Sequence, residues 1–69
     1  MEPIIREIGT RLRDMREILG LSPEEMASVT GVSPAEYLAA ESGQSDFSFT
    51  FLHRAAQRLG IDMTELLTG

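Results

Sequence analysis

Ser22-Pro23-Glu24-Glu25-Met26-Ala27-Ser28-Val29-Thr30-Gly31-Val32-Ser33-Pro34-Ala35-Glu36 contains the same helix-start signal twice. Ser22 and Ser33 are each followed by a proline and, three residues on, by a glutamate. A serine at such a position accepts from the amide three residues later, and the glutamate reaches back to the serine's own N–H. Proline suits the first helical position because the amide it lacks would have no partner there. The pattern predicts two short helices, over 23–30 and 34–41, with Thr30-Gly31-Val32 as the break between them.

Working outward, Ile5, Ile8, Leu12, Met15 and Leu19 recur at steps of three and four, the stripe of an amphipathic helix over 4–19 that Gly20 stops. On the other side Gly43 ends the third helix, and Gln44 to Phe47 reads as a loop. Ser48 is placed to cap a fourth helix, 48–59, with Phe49, Leu52, Ala55, Ala56 and Leu59 on one face and Gly60 as its stop. Asp62-Met63-Thr64-Glu65 is a third start of the same kind, opening a helix over 63–67 with Leu66 and Leu67 turned inward. No segment alternates like a strand. The expected fold is all-α, five helices in one domain over 1–69, with a core of Ile8, Leu12, Met15, Leu21, Met26, Ala27, Val32, Tyr37, Leu52, Ala55, Ala56, Leu59, Ile61 and Leu66. Ile4, Ile18 and Leu38 fall outside it, and Phe47 or Phe51 is expected to fold inward to complete it.

Sixty-nine residues without cysteine leave helix packing as the source of stability, with neither disulfides nor thiolate metal ligands. No apolar run approaches the ~20 residues of a membrane span, and the N-terminus alternates charged and apolar residues unlike a signal peptide, so no membrane partner and a cytoplasmic location are expected. His53 is the only histidine and lacks a patterned carboxylate partner, which makes it a surface residue rather than a metal ligand or a base. Ser22, Ser33 and Ser48 have no histidine near them in sequence and are explained by capping, and each glycine stands singly at a helix end, so no phosphate-binding loop is expected. The expectation is no catalytic residue, no metal, no cofactor and no enzyme activity.

Arg11-Leu12-Arg13-Asp14-Met15-Arg16, Gly20-Leu21-Ser22-Pro23-Glu24-Glu25-Met26-Ala27, Thr30-Gly31-Val32-Ser33, Tyr37, Glu41, Gly43, Ala55-Ala56, Leu59-Gly60-Ile61 and Glu65-Leu66-Leu67 together resemble the phage-repressor-like helix-turn-helix family, the Cro/CI type. The resemblance runs from about Ile5 to Leu67, with the helix-turn-helix at about 22–42. It implies a compact, five-helix, lambda-repressor-like DNA-binding domain that regulates transcription. The third helix would lie in the major groove of duplex DNA, the N-terminus of the second would meet a phosphate, and two copies would form a homodimer on palindromic half-sites. It also implies a structural salt bridge between Arg16 and Glu41, and allows a C-terminal sensory domain after Gly69 in a longer protein. The positions it sets toward DNA are Ser22, Ser33, Pro34, Ala35, Leu38, Ala39, Ser42, Gln44 and Ser45.

Chemistry and motif pull apart at these positions. Steps of ~100° put Tyr37, Ala40 and Glu41 on one side of the third helix and Pro34, Leu38, Ala39 and Ser42 on the other, with Ala35 at its edge. Paired hydrogen bonds to base edges need side chains such as Arg, Gln or Asn, and Pro34, Ala35, Leu38 and Ala39 have no donor. Residues 23–47 also hold Glu24, Glu25, Glu36, Glu41 and Asp46 but no Lys or Arg, so the whole formal net charge of −5 sits on this stretch. The expectation is repulsion of a phosphate backbone over ~10 Å and weak duplex binding with little sequence preference. Arg6, Arg11, Arg13, Arg54 and Arg58 are the remaining cations for phosphate, unless acids nearby engage them. The alternative is a helix-turn-helix that has lost base readout and contacts a protein partner through Leu38 and neighbouring apolar residues.

Overall fold

Helix starts and stops follow the capping residues closely in the computed structural model, which describes residues 3–68. The elements are α1 Pro3–Ile18, α2 Pro23–Thr30, α3 Pro34–Glu41, α4 Phe49–Leu59 and α5 Met63–Thr68, and no strand occurs among the described residues. Ser22 and Ser33 each complete a reciprocal box: the hydroxyl accepts from Glu25 N–H and Glu36 N–H at 3.1 Å, and the glutamates accept from the serine amides at 3.1 and 3.0 Å. Ser48 caps α4 by accepting from Phe51 N–H at 3.0 Å. At the start of α5, Glu65 accepts from Asp62 N–H at 2.9 Å. Gly31 ends α2 in the left-handed region at φ 79°, where Val32 N–H can close back on Ala27 O at 3.1 Å.

α2 packs against α3 and α4, while α1 lies across α3 and α5 and touches α4. The core between them is Ile8, Leu12, Leu21, Met26, Ala27, Tyr37, Ala40, Phe51, Leu52, Ala55, Ala56, Leu59 and Leu66, with Met15, Val32, Phe47, Ile61 and Met63 half-buried against it. Thr30 joins it with its hydroxyl donated to Met26 O at 2.7 Å, so a polar side chain is buried without an unmet donor. Arg11 donates to Leu66 O and Leu67 O at 3.2 and 3.1 Å, satisfying carbonyls at the end of α5 and tying it to α1.

Four expectations are corrected. Phe49, expected on the core face of α4, is 74% exposed and stacks only on His53, whereas Phe51 is buried. The two residues sit on opposite flanks of the α4 stripe, and only the Phe51 flank meets other rings: Tyr37 at 6.1 Å and Phe47 at 5.6 Å between centroids. Leu67 is exposed, because a helix as short as α5 turns only one of two adjacent leucines inward. Leu19 is exposed, just past the end of α1 at Ile18. Gly9 is not at a helix end; it lies in the body of α1, where a Cβ would come within 2.5 Å of Glu41 O and 2.6 Å of Ala40 O. The helix-weakening glycine is the condition for α3 to end directly against α1.

Candidate nucleic-acid interface

α3 is held from one side. Arg16 Nε donates to Glu41 Oε2 at 2.6 Å and Nη2 to Glu41 Oε1 at 3.2 Å, a two-pronged pair between α1 and the last residue of α3. Arg16 Nη1 donates to Leu21 O at 2.9 Å, so the same guanidinium also fixes the entry to α2. The side chains are 11% and 5% exposed, which makes the pair a desolvated anchor rather than a surface contact. The hydrogen bond to Glu41 raises the Arg16 pKa above its ordinary value. Tyr37 is fully buried, and its hydroxyl has no hydrogen-bond partner among the described residues. Burial pushes its pKa far above the ordinary range and holds the hydroxyl protonated.

Opposite that anchor, α3 faces out. Pro34 and Ala35 are exposed in its first turn, Leu38 is 47% exposed in its middle, Ala39 is half-buried, and Ser42 is exposed at the C-cap. Gln44 and Ser45 are exposed in the following loop; Gln44 N–H donates to Ala39 O at 2.9 Å. Ala39 and Ser45 line one shallow hollow of about 330 Å³ with Val32, Glu36, Asp46 and Phe51 between α3 and the loop. Ser33 is exposed and Ser22 half-buried, each engaged in its own capping box.

The acids of residues 23–47 are less available to repel an anion than their number suggests. Glu41 is neutralised by Arg16 inside the domain. Glu25 and Glu36 fold onto the N-termini of α2 and α3, where the backbone N–H of Ser22 and of Ser33 lowers their pKa values and the positive ends of the helix dipoles offset the charge. Asp46 accepts from Phe47 N–H at 2.7 Å. The boxes also occupy the ends that would hold a phosphate: with proline at the first position and the serine and glutamate amides engaged, each helix retains one first-turn N–H, of Glu24 or of Ala35, outside its box.

The arginines divide into roles that the sequence pattern does not separate. Arg11 caps α5 and lies 3.5 Å from Glu7, and Arg13 lies 3.7 Å from Asp14. Arg54 reaches from α4 to the α2–α3 turn, where its guanidinium nitrogen stands 2.9 Å from the place a Gly31 Cβ would occupy. Arg58 lies near enough to Glu25 to help lower that carboxyl's pKa. Arg54 and Arg58 of α4 are thus set beside the helix-turn-helix, Arg54 at the α2–α3 turn and Arg58 near the start of α2, a placement visible only once α4 is packed on α2. Among the described residues no cluster of three or more His, Cys, Asp or Glu side chains could hold a metal ion, and no helix is long and apolar enough to cross a membrane.

Residues 9–69 match the sequence profile described as a helix-turn-helix domain. The chain is 38% identical over 56 residues, 81% of each chain, to an uncharacterized helix-turn-helix-type transcriptional regulator of Methanothermobacter thermautotrophicus. Among solved structures it is similar to the restriction-modification controller protein C.AhdI from Aeromonas hydrophila, at 32% identity and TM-score 0.84, covering 90% of this chain and 94% of that one. It is also similar to the clp gene regulator ClgR from Corynebacterium glutamicum, at 31% identity and TM-score 0.87, covering 97% of this chain and 72% of that one.

Proposed function

The chain belongs to the helix-turn-helix domain family, and we infer that it is the DNA-binding domain of a transcriptional regulator, acting in the cytoplasm as a homodimer without catalytic chemistry of its own. The observation that supports this most is the two-sided construction of α3: one side is locked to α1 through Arg16–Glu41, and the other stands clear of the body. A rigidly held helix with an open side suits the major groove, which admits one α-helix. Similarity to regulators over nearly the whole chain favours this reading over a module kept only for protein contacts.

The chemistry sets the strength of binding. Arg54 beside the α2–α3 turn and single amides at the ends of α2 and α3 offer at most about three phosphate contacts per subunit, of which only the arginine's neutralises a phosphate charge and contributes ~0.9 to the slope of log affinity against log salt. Pro34, Ala35, Leu38 and Ala39 make no side-chain hydrogen bonds to bases. Each subunit therefore binds weakly and discriminates modestly, and two subunits on a two-fold site supply the affinity. A titration of the 69-residue chain against random and selected duplexes at two salt concentrations tests this, with the oligomeric state measured in parallel. Micromolar binding with a shallow salt slope is expected. No binding at low salt would overturn the reading, and nanomolar, strongly selective binding by a single subunit would overturn the weak, modestly selective contact expected of each subunit.

A further inference from the structure

The open side of α3 is unusual in having almost nothing to offer a hydrogen bond. Pro34, Ala35, Leu38 and Ala39 have no polar side-chain atom. Ser42, the one hydroxyl on this side, donates its proton to Ala39 O at 3.1 Å, within its own helix end. The acids of α3 are turned elsewhere: Glu36 is folded back on Ser33, and Glu41 is buried against Arg16 on the opposite side. What remains is an apolar surface with Leu38 as its largest exposed side chain and alanines on either side, small enough to let the helix backbone come close.

The major groove has one apolar group to match such a surface. Guanine, cytosine and adenine present hydrogen-bonding atoms there, while thymine adds a C5-methyl. 5-Methylcytosine carries the same methyl on the same ring carbon. A methyl set against Leu38 removes apolar area from water on both partners, whereas an unmethylated polar edge in that place loses water without gaining a partner.

We propose that Leu38, flanked by Ala35 and Ala39, reads the C5-methyl group of pyrimidines in the major groove, so that the target site is chosen by methyl contact rather than by paired hydrogen bonds. This rests on the duplex-binding function inferred above. One methyl buried against an aliphatic side chain is worth about fourfold in affinity, and one in each half-site of a dimer more than tenfold.

The test starts from duplexes selected by the whole chain out of a random pool and remakes the best of them with deoxyuridine for thymine, which deletes the methyl and leaves every hydrogen-bonding group in place. A second series replaces cytosine by 5-methylcytosine in otherwise equal duplexes, separating the two sources of the methyl. Enrichment of thymine at the α3-facing positions and a loss of about fourfold or more per substituted thymine support the proposal. So does a gain for 5-methylcytosine at those positions, with both effects erased in Leu38→Ala. Leu38 is half exposed, so this variant keeps the fold, which a thermal melt verifies. Equal affinity for thymine and deoxyuridine duplexes would overturn methyl readout while leaving DNA binding intact. No binding to any duplex would overturn both.

Discussion

α2 and α3 begin almost identically and end up doing different work. Both open on Ser-Pro-x-Glu, both complete the reciprocal capping box, and both run for eight residues. α2 stops at Gly31, and the apolar Val32 that follows turns back to pack on the core. α3 runs out through Ser42 and Gly43 to Gln44, which is polar and exposed. α2 is wedged between α3 and α4 and buries Met26, Ala27 and Thr30. α3 buries Tyr37, Ala40 and Glu41 and is pinned at its C-terminal end by a charge from α1. Equal local signals thus make equal helices, and the neighbours decide which is scaffold and which is presented.

The sharpest way to break this contrast is to remove what only α3 has. Glu41→Ala leaves Arg16 buried without its carboxylate and is expected to cost ~3–5 kcal/mol in chemical denaturation. Its effect should exceed that of Glu36→Ala, which removes only a capping contact; equal losses would show that the ion pair is not the anchor. Gly9→Ala comes next. The added Cβ must displace the backbone carbonyls of Ala40 and Glu41, and overpacking of this kind costs roughly 1–3 kcal/mol, more than the ~1 kcal/mol that alanine contributes to helix propensity. A stabilised Gly9→Ala protein would mean that α1 and α3 cross less closely than described.

What α2 and α3 share yields smaller and matched effects. Ser22→Ala and Ser33→Ala should each lower stability by ~1 kcal/mol, and a large inequality between them would separate two starts that look alike. The same boxes predict a pH dependence. Glu25 and Glu36 have folded pKa values below the ordinary 4.5, so their contribution is fully present above that value and is lost as the pH falls through the depressed folded values. Melting across this acid range should show a slope that the double variant Glu25→Gln, Glu36→Gln flattens. The smallest effect is at the open face: Leu38→Ala should change stability by no more than about 0.5 kcal/mol while altering DNA binding. A large loss of stability would place Leu38 in the core instead.

The helix pattern was legible because caps are local. A serine, a proline and a glutamate within four residues settle where a helix begins, whatever the rest of the chain does, and the five observed helices fall within a residue of the spans read from the sequence. The choice between Phe49 and Phe51 was not legible in this way. Both flank the α4 stripe, and only the position of Tyr37, brought in from α3, selects Phe51. The apolar open side of α3 could be read from its 100° steps, but Ser42's commitment to Ala39 O could not, because that depends on how the helix ends.

Fold class, the two matched helix starts and the absence of base-reading donors on α3 all follow from residue type and spacing along one helix, and so were readable before any packing was known. How the charge is used depends on which helices meet. Five acids over residues 23–47 read as a repulsive surface when counted along the chain. Packing buries Glu41 against Arg16 and brings Arg54 from α4 to the α2–α3 turn. The physical reason is that electrostatic energy depends on distance and solvent exposure, and those are set by helix packing rather than by order along the chain.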